Sequence, residues 1–377
     1  MTRLRLAWGL LLLSIAMWSV LPSPCVACWY LSVGVPEMGH WFVLAALPVF
    51  FARRPRYEVI PAVLVILLGL SPWARAVGIA RSLPTRLTAA FGQAAPGSPL
   101  HWSPPVGAPI HERVGSLDVD HYAPPSPDPS RPVVLFVHGG SWSGGSRSEY
   151  PGIFQLLAQA GWDVYSMDYR LAPAHPYPAQ LEDIHTVLAS LRASGRRVVM
   201  MGRSAGAHLA LLAAYTNDAA GVIAMYPPVD MVWSWDHPSN PAVLDSRKSL
   251  RDFLGGTPTE KPALYAQASP LQIVTARGRG DNLASTPRRP PQGGTLANGS
   301  SAAPTLLIHG LHDQLVYPYQ SEMLQARLQE LGVANLLVKI PWADHGGDVV
   351  NAGPMSRLTL YAIESFLLSL GRPGPPA

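Results

Sequence analysis

The pattern Gly202-x-Ser204-x-Gly206 places one serine between two glycines, directly after an apolar run. Residues 197–201 favour a β-strand, and the Ala- and Leu-rich stretch that follows favours a helix extending to Tyr215. A serine on such a strand–turn–helix is held in a strained conformation with its hydroxyl exposed, and small neighbours let the strand and the helix close around it. The pattern therefore predicts a nucleophilic serine. Because short motifs also arise by chance, this prediction depends on partner residues elsewhere in the chain.

A nucleophilic serine needs a base for its proton and a carboxylate that orients the base. His345 is the only histidine after the last predicted strand, and it lies in a loop between that strand and a helix. Asp313 follows the preceding predicted strand, where a short turn directs it to the same place. Asp230 is the alternative orienting acid, and the position of Asp313 favours it over Asp230. Ser204, Asp313 and His345 occur in the chain order serine, acid, histidine. This is the order found in enzymes whose nucleophilic serine lies on a strand–turn–helix of this kind, called a nucleophile elbow.

A second glycine-containing loop could stabilise the negative charge that forms on an attacked carbonyl oxygen. The segment His138-Gly139-Gly140-Ser141-Trp142 follows the continuous apolar strand Val133–Val137. Glycines let backbone N–H groups approach a substrate oxygen without a Cβ in the way. Gly139, Gly140 and Ser141, with the N–H of Ala205 directly after the serine, are the expected donors of an oxyanion hole. His138 is expected to brace this loop instead of acting as a base.

Composition excludes several classes of function. Only 14% of the 377 residues are charged, and because the deficit is concentrated at the N-terminus it indicates a membrane segment. The net charge of +4 comes from arginine without a basic stripe interleaved with aromatics, so nucleic acid is not an expected partner.

Cys25 and Cys28 are the only cysteines, which excludes a disulfide framework and a four-cysteine zinc site. If their loop lies outside the cytosol, the two could form one bridge. No metal or other cofactor is expected.

The first 76 residues contain three apolar segments. They cover residues 6–21, preceded by Arg3 and Arg5, and residues 29–51 and 59–73. The first segment fits either a cleaved signal sequence or a transmembrane helix. Since two further segments follow it, we expect residues 1–76 to form a membrane anchor with two or three transmembrane helices.

Positive charges predict the orientation of this anchor. Arg3, Arg5 and the arginines of residues 53–56 belong on the cytosolic side, so the chain after Trp73 is expected outside the cytosol. Residues 77–111 are rich in Pro and Gly towards their end, and we interpret them as a linker that could include a short interfacial helix over residues 74–92.

Residues 112–371 alternate between strand and helix patterns, which predicts an α/β domain with a mostly parallel, doubly wound sheet. Opening strands are expected over residues 113–119 and 120–122. Residues 231–303 are expected to form a cap or insertion, helical over 249–268 and without regular structure over 277–303. Ligands of such sheets bind beyond the carboxyl ends of the strands, where the candidate residues lie.

Several motifs together carry a resemblance to a known family. They are His138–Trp142, Asp168-Tyr169-Arg170-Leu171-Ala172-Pro173, Tyr177-Pro178-Ala179, Gly202–Leu209 and Ile308–Asp313. Residues 113–370 resemble the α/β-hydrolase superfamily, in the branch that joins hormone-sensitive-lipase-like enzymes, bacterial carboxylesterases and arylformamidase-like proteins. The resemblance implies Ser204 as nucleophile, Asp313 as acid and His345 as base. It also implies that Asp168 and Arg170 are structural, as an ion pair behind the oxyanion loop.

The chain departs from the family where Ser141-Trp142 replaces the third glycine of the lipase-like loop, which favours the His-Gly-Gly-x-Trp subgroup with Trp142 as a structural residue near the site. The expected function is hydrolysis of small carboxylic esters by a serine enzyme tethered to the lipid bilayer, with its catalytic domain outside the cytosol. An arylformamidase-like amidase is the first alternative. A non-catalytic binding domain on a hydrolase fold is the second, and the complete set of catalytic residues argues against it.

Overall fold

The computed structural model describes residues 2–51, 57, 59–217, 219–279 and 302–371. The arginines at 53–56, on which part of the predicted orientation rests, lie outside the described residues, as does most of the 277–303 insertion. The chain begins with four helices, followed by an α/β unit. These first helices are α1 (Thr2–Ala16), α2 (Val26–Glu37), α3 (Gly39–Ala46) and α4 (Val59–Phe91).

The α/β unit is built on one eight-stranded sheet with the order β1-β2-β4-β3-β5-β6-β7-β8. The strands are β1 (Ile110–Val114), β2 (Leu117–Tyr122), β3 (Val133–Val137), β4 (Val164–Met167), β5 (Val198–Arg203), β6 (Gly221–Met225), β7 (Thr305–Gly310) and β8 (Asn335–Ile340). In this sheet order, all neighbouring strands from β4 to β8 are parallel. Strand β2 is antiparallel to both of its neighbours, β1 and β4. The predicted mostly parallel, doubly wound α/β sheet is confirmed.

The opening strands differ from the prediction. Residues 113–119 do not form one strand, because the chain turns at Gly115, whose φ of +64° favours glycine. The turn creates a hairpin in which Arg113 of β1 lies opposite Asp118 of β2.

Helices cover both faces of the sheet. They are α5 (Gly152–Gln159), α6 (Ala179–Ala193), α7 (Ala205–Thr216), α8 (Met231–Asp236), α9 (Ser246–Leu254), α10 (Pro262–Gln267), α11 (Pro270–Arg279), α12 (Tyr319–Glu330) and α13 (Pro354–Leu370). Alternate residues of β3 belong to two separate cores: Val134 and Phe136 pack with α5 and α13, and Leu135 and Val137 pack with α6, α7, α11 and α12. Burial on both faces explains why the strand is apolar at every position.

Helix α4 is one continuous helix, where the sequence predicted a membrane span over 59–73 and a separate interfacial helix over 74–92. One side of its second half packs on the α/β unit. Ala76, Leu83 and Leu87 are fully buried in the core that contains α13, and the Arg86 guanidinium donates to the carbonyl oxygen of Leu337 in β8 at 2.8 Å. The helix continues because this half packs on the α/β unit, so the expected boundary at residue 76 falls inside α4.

The second apolar segment, residues 29–51, was expected to form one span, and the structure divides it into α2 and the stretch Gly39–Phe50 with an 82° bend between them. After the bend, α3 crosses α4 closely, since a Cβ on Gly39 would lie 2.2 Å from the carbonyl oxygen of Gly69. Among the described residues, α4 is long and apolar enough to cross a membrane by itself, and α2 with α3 would qualify only as a broken span.

Candidate active site

Ser204 lies on the turn between β5 and α7, with φ 52° and ψ −123°. This region is unfavourable for residues with a Cβ, so the packing around the turn must maintain it. A Cβ on Gly202 would lie 2.3 Å from the Gly206 oxygen, and a Cβ on Gly206 would lie 2.1 Å from the Val137 oxygen. Both positions therefore require glycine. The strand–turn–helix expected around Ser204 is present.

Asp313 and His345 are in direct contact, with 2.7 Å between Oδ2 of Asp313 and Nδ1 of the ring. Each lies in the loop after a strand, Asp313 after β7 and His345 after β8. Oδ1 of Asp313 accepts hydrogen bonds from the N–H groups of Leu315 and Val316 at 2.9 and 2.8 Å. Nε2 of His309 lies 3.2 Å from Oδ2. These contacts hold the Asp313 carboxylate in one orientation towards His345.

The charges of this pair reinforce each other. Burial raises the pKa of the Asp313 carboxyl, but the facing His345 and the hydrogen bonds from His309 and His345 lower it by more, so the pKa lies well below its ordinary value. Burial lowers the pKa of His345, and the charge and hydrogen bond of Asp313 outweigh that effect and raise it. An ionised Asp313 accepts from Nδ1–H of the ring, which leaves Nε2 of His345 free to take a proton.

A buried ion pair joins the Ser204 turn to the loop that carries His345. Arg203, directly before Ser204, has Nη2 2.7 Å from Oδ2 of Asp348, and both side chains are buried. The hydroxyl of Tyr226 donates to the other oxygen of Asp348 at 2.8 Å, and its ring packs on that of His345 with 4.4 Å between centroids. Ser204 and His345 are thereby held at the same edge of the sheet.

Within the described part of the chain, no hydrogen bond joins the Ser204 hydroxyl to His345. Catalytic hydrogen bonds are often long without substrate and shorten when it binds. Asp230, the alternative acid, has another role, because its carboxylate caps α8 by accepting from the N–H groups of Val232 and Trp233 at 3.0 Å. The geometry thus pairs His345 with Asp313 and not with Asp230.

The glycine loop after β3 lies beside Ser204. A Cβ on Gly139 would lie 3.5 Å from the Ser204 Cβ, and positive φ angles of 107° at Gly140 and 52° at Ser141 turn the chain there. In the ranges that the structure describes, the N–H groups of Gly139, Gly140, Ser141 and Ala205 donate to no protein acceptor. Four backbone donors next to Ser204 are therefore available to a substrate oxygen.

Two side chains of this loop have structural contacts. Nδ1 of His138 lies 2.7 Å from the carbonyl oxygen of the next residue, and its ring stacks on Tyr169 with 4.1 Å between centroids. The Trp142 indole donates to Nδ1 of His208 at 3.1 Å, and Nε2 of His208 lies 2.6 Å from the Ala268 carbonyl oxygen. Burial lowers the pKa of His208 to about 4, so the ring is neutral and connects the loop to α7 and to α10.

The expected ion pair between Asp168 and Arg170 is wrong. Asp168 instead accepts from the backbone N–H of Arg147 at 2.7 Å and pairs with the guanidinium of the same residue. Arg170 pairs with Asp183 and Glu182 at the start of α6, each at 2.9 Å. Each has a partner from another segment with better geometry, so the two residues fasten different loops.

A pocket of about 50 Å³ is lined in part by Ser204. Ser141 and Ser204 line one side, Trp233 of α8 and Leu250 of α9 line another, and the loop 315–317 after β7 completes it. Helices from the expected 231–303 cap therefore contribute walls of the pocket. No group of three or more His, Cys, Asp or Glu residues able to hold a metal ion occurs among the residues described.

Sequence reasoning missed the buried charges around the site. Arg203 and Asp348 are far apart in the chain, and no local pattern pairs them. Glu37 of α2 is also buried, and it accepts from the Trp342 indole at 2.9 Å. A carboxylate inside an otherwise apolar segment was a usable signal, because such residues are rare and commonly functional.

Comparison with known proteins agrees with this architecture. Residues 119–279 match the family model BD-FAE. Esterase LipC of Mycobacterium tuberculosis is 30% identical over 271 residues, which cover 65% of this chain and 60% of LipC. Carboxylesterase NlhH of the same organism is 34% identical over 134 residues, covering 33% of this chain and 40% of NlhH. The chain thus spans about 60% of the length of LipC.

Solved structures share the fold. EstE5 superposes with a TM-score of 0.55 at 18% identity, covering 78% of this chain and 91% of EstE5. An esterase/lipase from an uncultured bacterium gives a TM-score of 0.53 at 19% identity, covering 76% of this chain and 97% of that one. The parallel sheet, the Ser204 turn and these structures together show that the chain has an α/β-hydrolase fold, and its sequence is similar to those of esterases and lipases.

Proposed function

We propose that the protein hydrolyses carboxylic esters with Ser204 as nucleophile, His345 as base and Asp313 as orienting acid. The observation that carries this proposal is the 2.7 Å contact between Asp313 and His345 at the sheet edge where Ser204 occupies its strained turn. The similarity to an esterase and a carboxylesterase supports ester substrates.

The reaction proceeds in two halves. Oγ of Ser204 attacks the acyl carbonyl carbon while Nε2 of His345 takes the hydroxyl proton, and Asp313 stabilises the imidazolium. His345 then gives this proton to the leaving alcohol oxygen as the C–O bond breaks, which leaves the acyl group esterified to Ser204. In the second half, Nε2 takes a proton from water, the hydroxide attacks the acyl carbon, and the proton returns to Oγ as the carboxylic acid departs.

The carbonyl oxygen becomes negative during both attacks. The N–H groups of Gly139, Gly140, Ser141 and Ala205 have no partner among the described residues and adjoin Ser204, so they are the donors that would receive this charge. Removal of one such donor typically costs about 3–4 kcal/mol of transition-state stabilisation. Because these donors belong to the backbone, the loop geometry and not any side chain determines this contribution.

An ester and an amide substrate distinguish the proposal from the arylformamidase-like alternative. We expect 4-nitrophenyl acetate to be hydrolysed with a kcat/KM on the order of 100-fold above that of N-formylaniline, because 4-nitrophenolate leaves the acyl carbon more readily than aniline does. Parallel rate measurements on one preparation test this. A higher kcat/KM for N-formylaniline would favour the amidase.

We further propose that α1, α3 and the first half of α4 are embedded in a membrane, with the α/β unit outside the cytosol. These helices enclose a small apolar core, yet Leu11, Trp41, Phe51 and Leu67 are 51%, 58%, 82% and 61% exposed. Exposed apolar surface of this extent marks contact with lipid or with another protein. The arginines at the start of α1 support a cytosolic N-terminus.

Protease added to intact cells tests this arrangement. We expect the α/β unit to be degraded from outside, because its backbone beyond α4 faces the extracytoplasmic medium, while a cytosolic marker protein stays intact as the control. Full protection of the α/β unit in intact cells, with degradation only after the membrane is permeabilised, would reverse the orientation.

A further inference from the structure

Helix α2 and the turn before it lie against both loops that carry the acid and the base of the proposed reaction. Before α2, the backbone N–H of Ser23 donates to Oε1 of Gln314 at 2.6 Å, and Gln314 directly follows Asp313. Within α2, the hydroxyl of Ser32 lies 2.5 Å from Oδ2 of Asp344, which directly precedes His345. The N-terminal helices therefore contact the residues next to the catalytic pair and do more than connect it to a membrane.

Asp344 is the point at which the two catalytic loops meet. Its Oδ1 accepts from the N–H groups of His345 and Gln314 at 2.7 and 3.1 Å, and its Oδ2 accepts from the Gln314 amide at 2.6 Å. The Asp344 side chain is buried, so these bonds form away from water. A carboxylate that binds both backbones fixes the distance between the Asp313 loop and the His345 loop.

Ser32 supplies the remaining hydrogen bond to this carboxylate. Its hydroxyl also lies 2.9 Å from the Trp29 carbonyl oxygen, but it has one proton, and the shorter contact to a charged acceptor is the stronger bond. Burial raises the pKa of Asp344 and the neighbouring charge of Asp313 raises it further, whereas the bond from Ser32 opposes both. Ser32 thus favours the ionised form of Asp344, which accepts all of these bonds.

Glu37, at the end of α2, spans the two ends of the His345 loop. Its Oε1 accepts from the Trp342 indole at 2.9 Å, where the loop begins, and its Oε2 accepts from the Met355 N–H at 2.8 Å, where α13 begins. The carboxyl group is almost completely buried, and burial raises its pKa to about 8, although the two N–H donors oppose this effect. A clamp at both ends restricts the motion of the loop between them.

We propose that Ser32 and Glu37 of α2 are positioning residues, which act through Asp344 and through the ends of the His345 loop to hold the base against Asp313. This inference rests on the proposed function. A base displaced by about 1 Å can cost on the order of 100-fold in rate, so small shifts of this loop matter. Helix α2 is then part of the catalytic unit, and the link between the membrane part and the α/β unit is also a link to the active site.

The test is a double-mutant cycle in the whole 377-residue chain in detergent, with 4-nitrophenyl acetate. We expect Ser32→Ala to lower kcat about tenfold with KM unchanged, and Asp344→Asn to lower it further. Because Ser32 acts through Asp344, the double variant should be no slower than Asp344→Asn alone. Glu37→Gln, which keeps the shape but presents an N–H to one of two donors, should also lower kcat without changing KM.

Two further measurements separate positioning from loss of folded protein. Titration with a 4-nitrophenyl phosphonate, which counts competent Ser204 hydroxyls, should give the same number of sites per chain in Ser32→Ala as in the wild type, with a slower labelling rate. Ser82→Ala also removes a serine hydroxyl from a helix, here an exposed one in α4 that donates to the Ile79 oxygen at 3.1 Å, and should leave kcat unchanged.

Three results would overturn the inference: a kcat of Ser32→Ala within twofold of the wild type, additive losses in the double variant, or fewer titratable sites at an unchanged labelling rate. A wild-type protein without activity on esters would instead contradict the proposed function, so the two failures are distinguishable.

Discussion

Replacing Ser204 with alanine is expected to lower kcat for 4-nitrophenyl acetate by on the order of 10⁶-fold, to near the background rate. The hydroxyl is the only group of this residue that reacts. Alanine has the same Cβ as serine at φ 52°, so the strain of the turn and the fold should not change. Initial rates measure the loss, and thermal unfolding of both proteins measures the fold.

Ser130→Ala is the matched control. It also removes a serine hydroxyl, here an exposed one that donates to Asp128 at 2.6 Å, remote from the pocket. Its kcat should equal that of the wild type. If Ser204→Ala kept a tenth or more of the activity, the nucleophile would have to be another residue.

Replacing Asp313 with asparagine is expected to lower kcat by about 10⁴-fold, because the amide would present an N–H to His345 and favour the wrong tautomer of the ring. The shape of the side chain is retained, and the N–H groups of Leu315 and Val316 still have an oxygen acceptor. The fold should therefore persist while the His345 ring is held in the wrong tautomer.

The pH profile gives this prediction a second readout. The base must be neutral, so activity falls as the pH drops through the pKa of His345. Burial lowers this pKa, but Asp313 raises it overall, which places the acid limb of kcat/KM above about 6.5, the ordinary histidine value. Without the Asp313 carboxylate the limb should move to lower pH. An unmoved limb in Asp313→Asn would mean that the acid does not face the base.

Asp230→Asn is the control for the choice of acid. Asp230 caps α8, and asparagine is also a good helix N-cap, so we expect kcat within a few-fold of the wild type. A loss comparable to that of Asp313→Asn, with Asp313→Asn itself active, would transfer the orienting role to Asp230.

The parts of the site that could be predicted from the sequence have local causes. The turn at Ser204 requires small residues within two positions of it, so Gly202 and Gly206 reveal it. The apolar run of β3 predicts a strand buried on both faces, and the parallel sheet it implies brings the loops with Asp313 and His345 to one edge. The chain order of the three residues then follows from the fold.

What the sequence did not reveal depends on contacts between distant segments. The pairing of Arg203 with Asp348 joins β5 to a loop that follows β8, and nothing near either residue indicates the other. The partners of Asp168 and Arg170 were wrong for the same reason, because the loop geometry offered each a different charge. Helix α4 exceeded its predicted length because its second half packs on α13, which hydrophobicity alone does not show.

The N-terminal helices show where a composition argument reaches its limit. Apolar residues over 29–51 predicted one membrane span, yet α2 is bent from the Gly39–Phe50 stretch by 82°. Ser32 and Glu37 of α2 instead contact Asp344 and Trp342, which lie in the loop that carries His345. A scarcity of charged residues is typical of a transmembrane helix and equally of a helix buried inside a protein. The single carboxylate at Glu37 distinguishes the two, since lipid would leave it without the N–H donors that it has here.

The most direct test of the central claim is covalent trapping of the nucleophile. The whole 377-residue chain is treated with a 4-nitrophenyl phosphonate, and the modified peptide is identified by mass spectrometry. The proposed mechanism predicts one phosphonyl group per chain, attached to Ser204, with activity lost in proportion to labelling and no labelling of Ser204→Ala. Inhibition with the label on another residue, or full activity after Ser204 is modified, would contradict it.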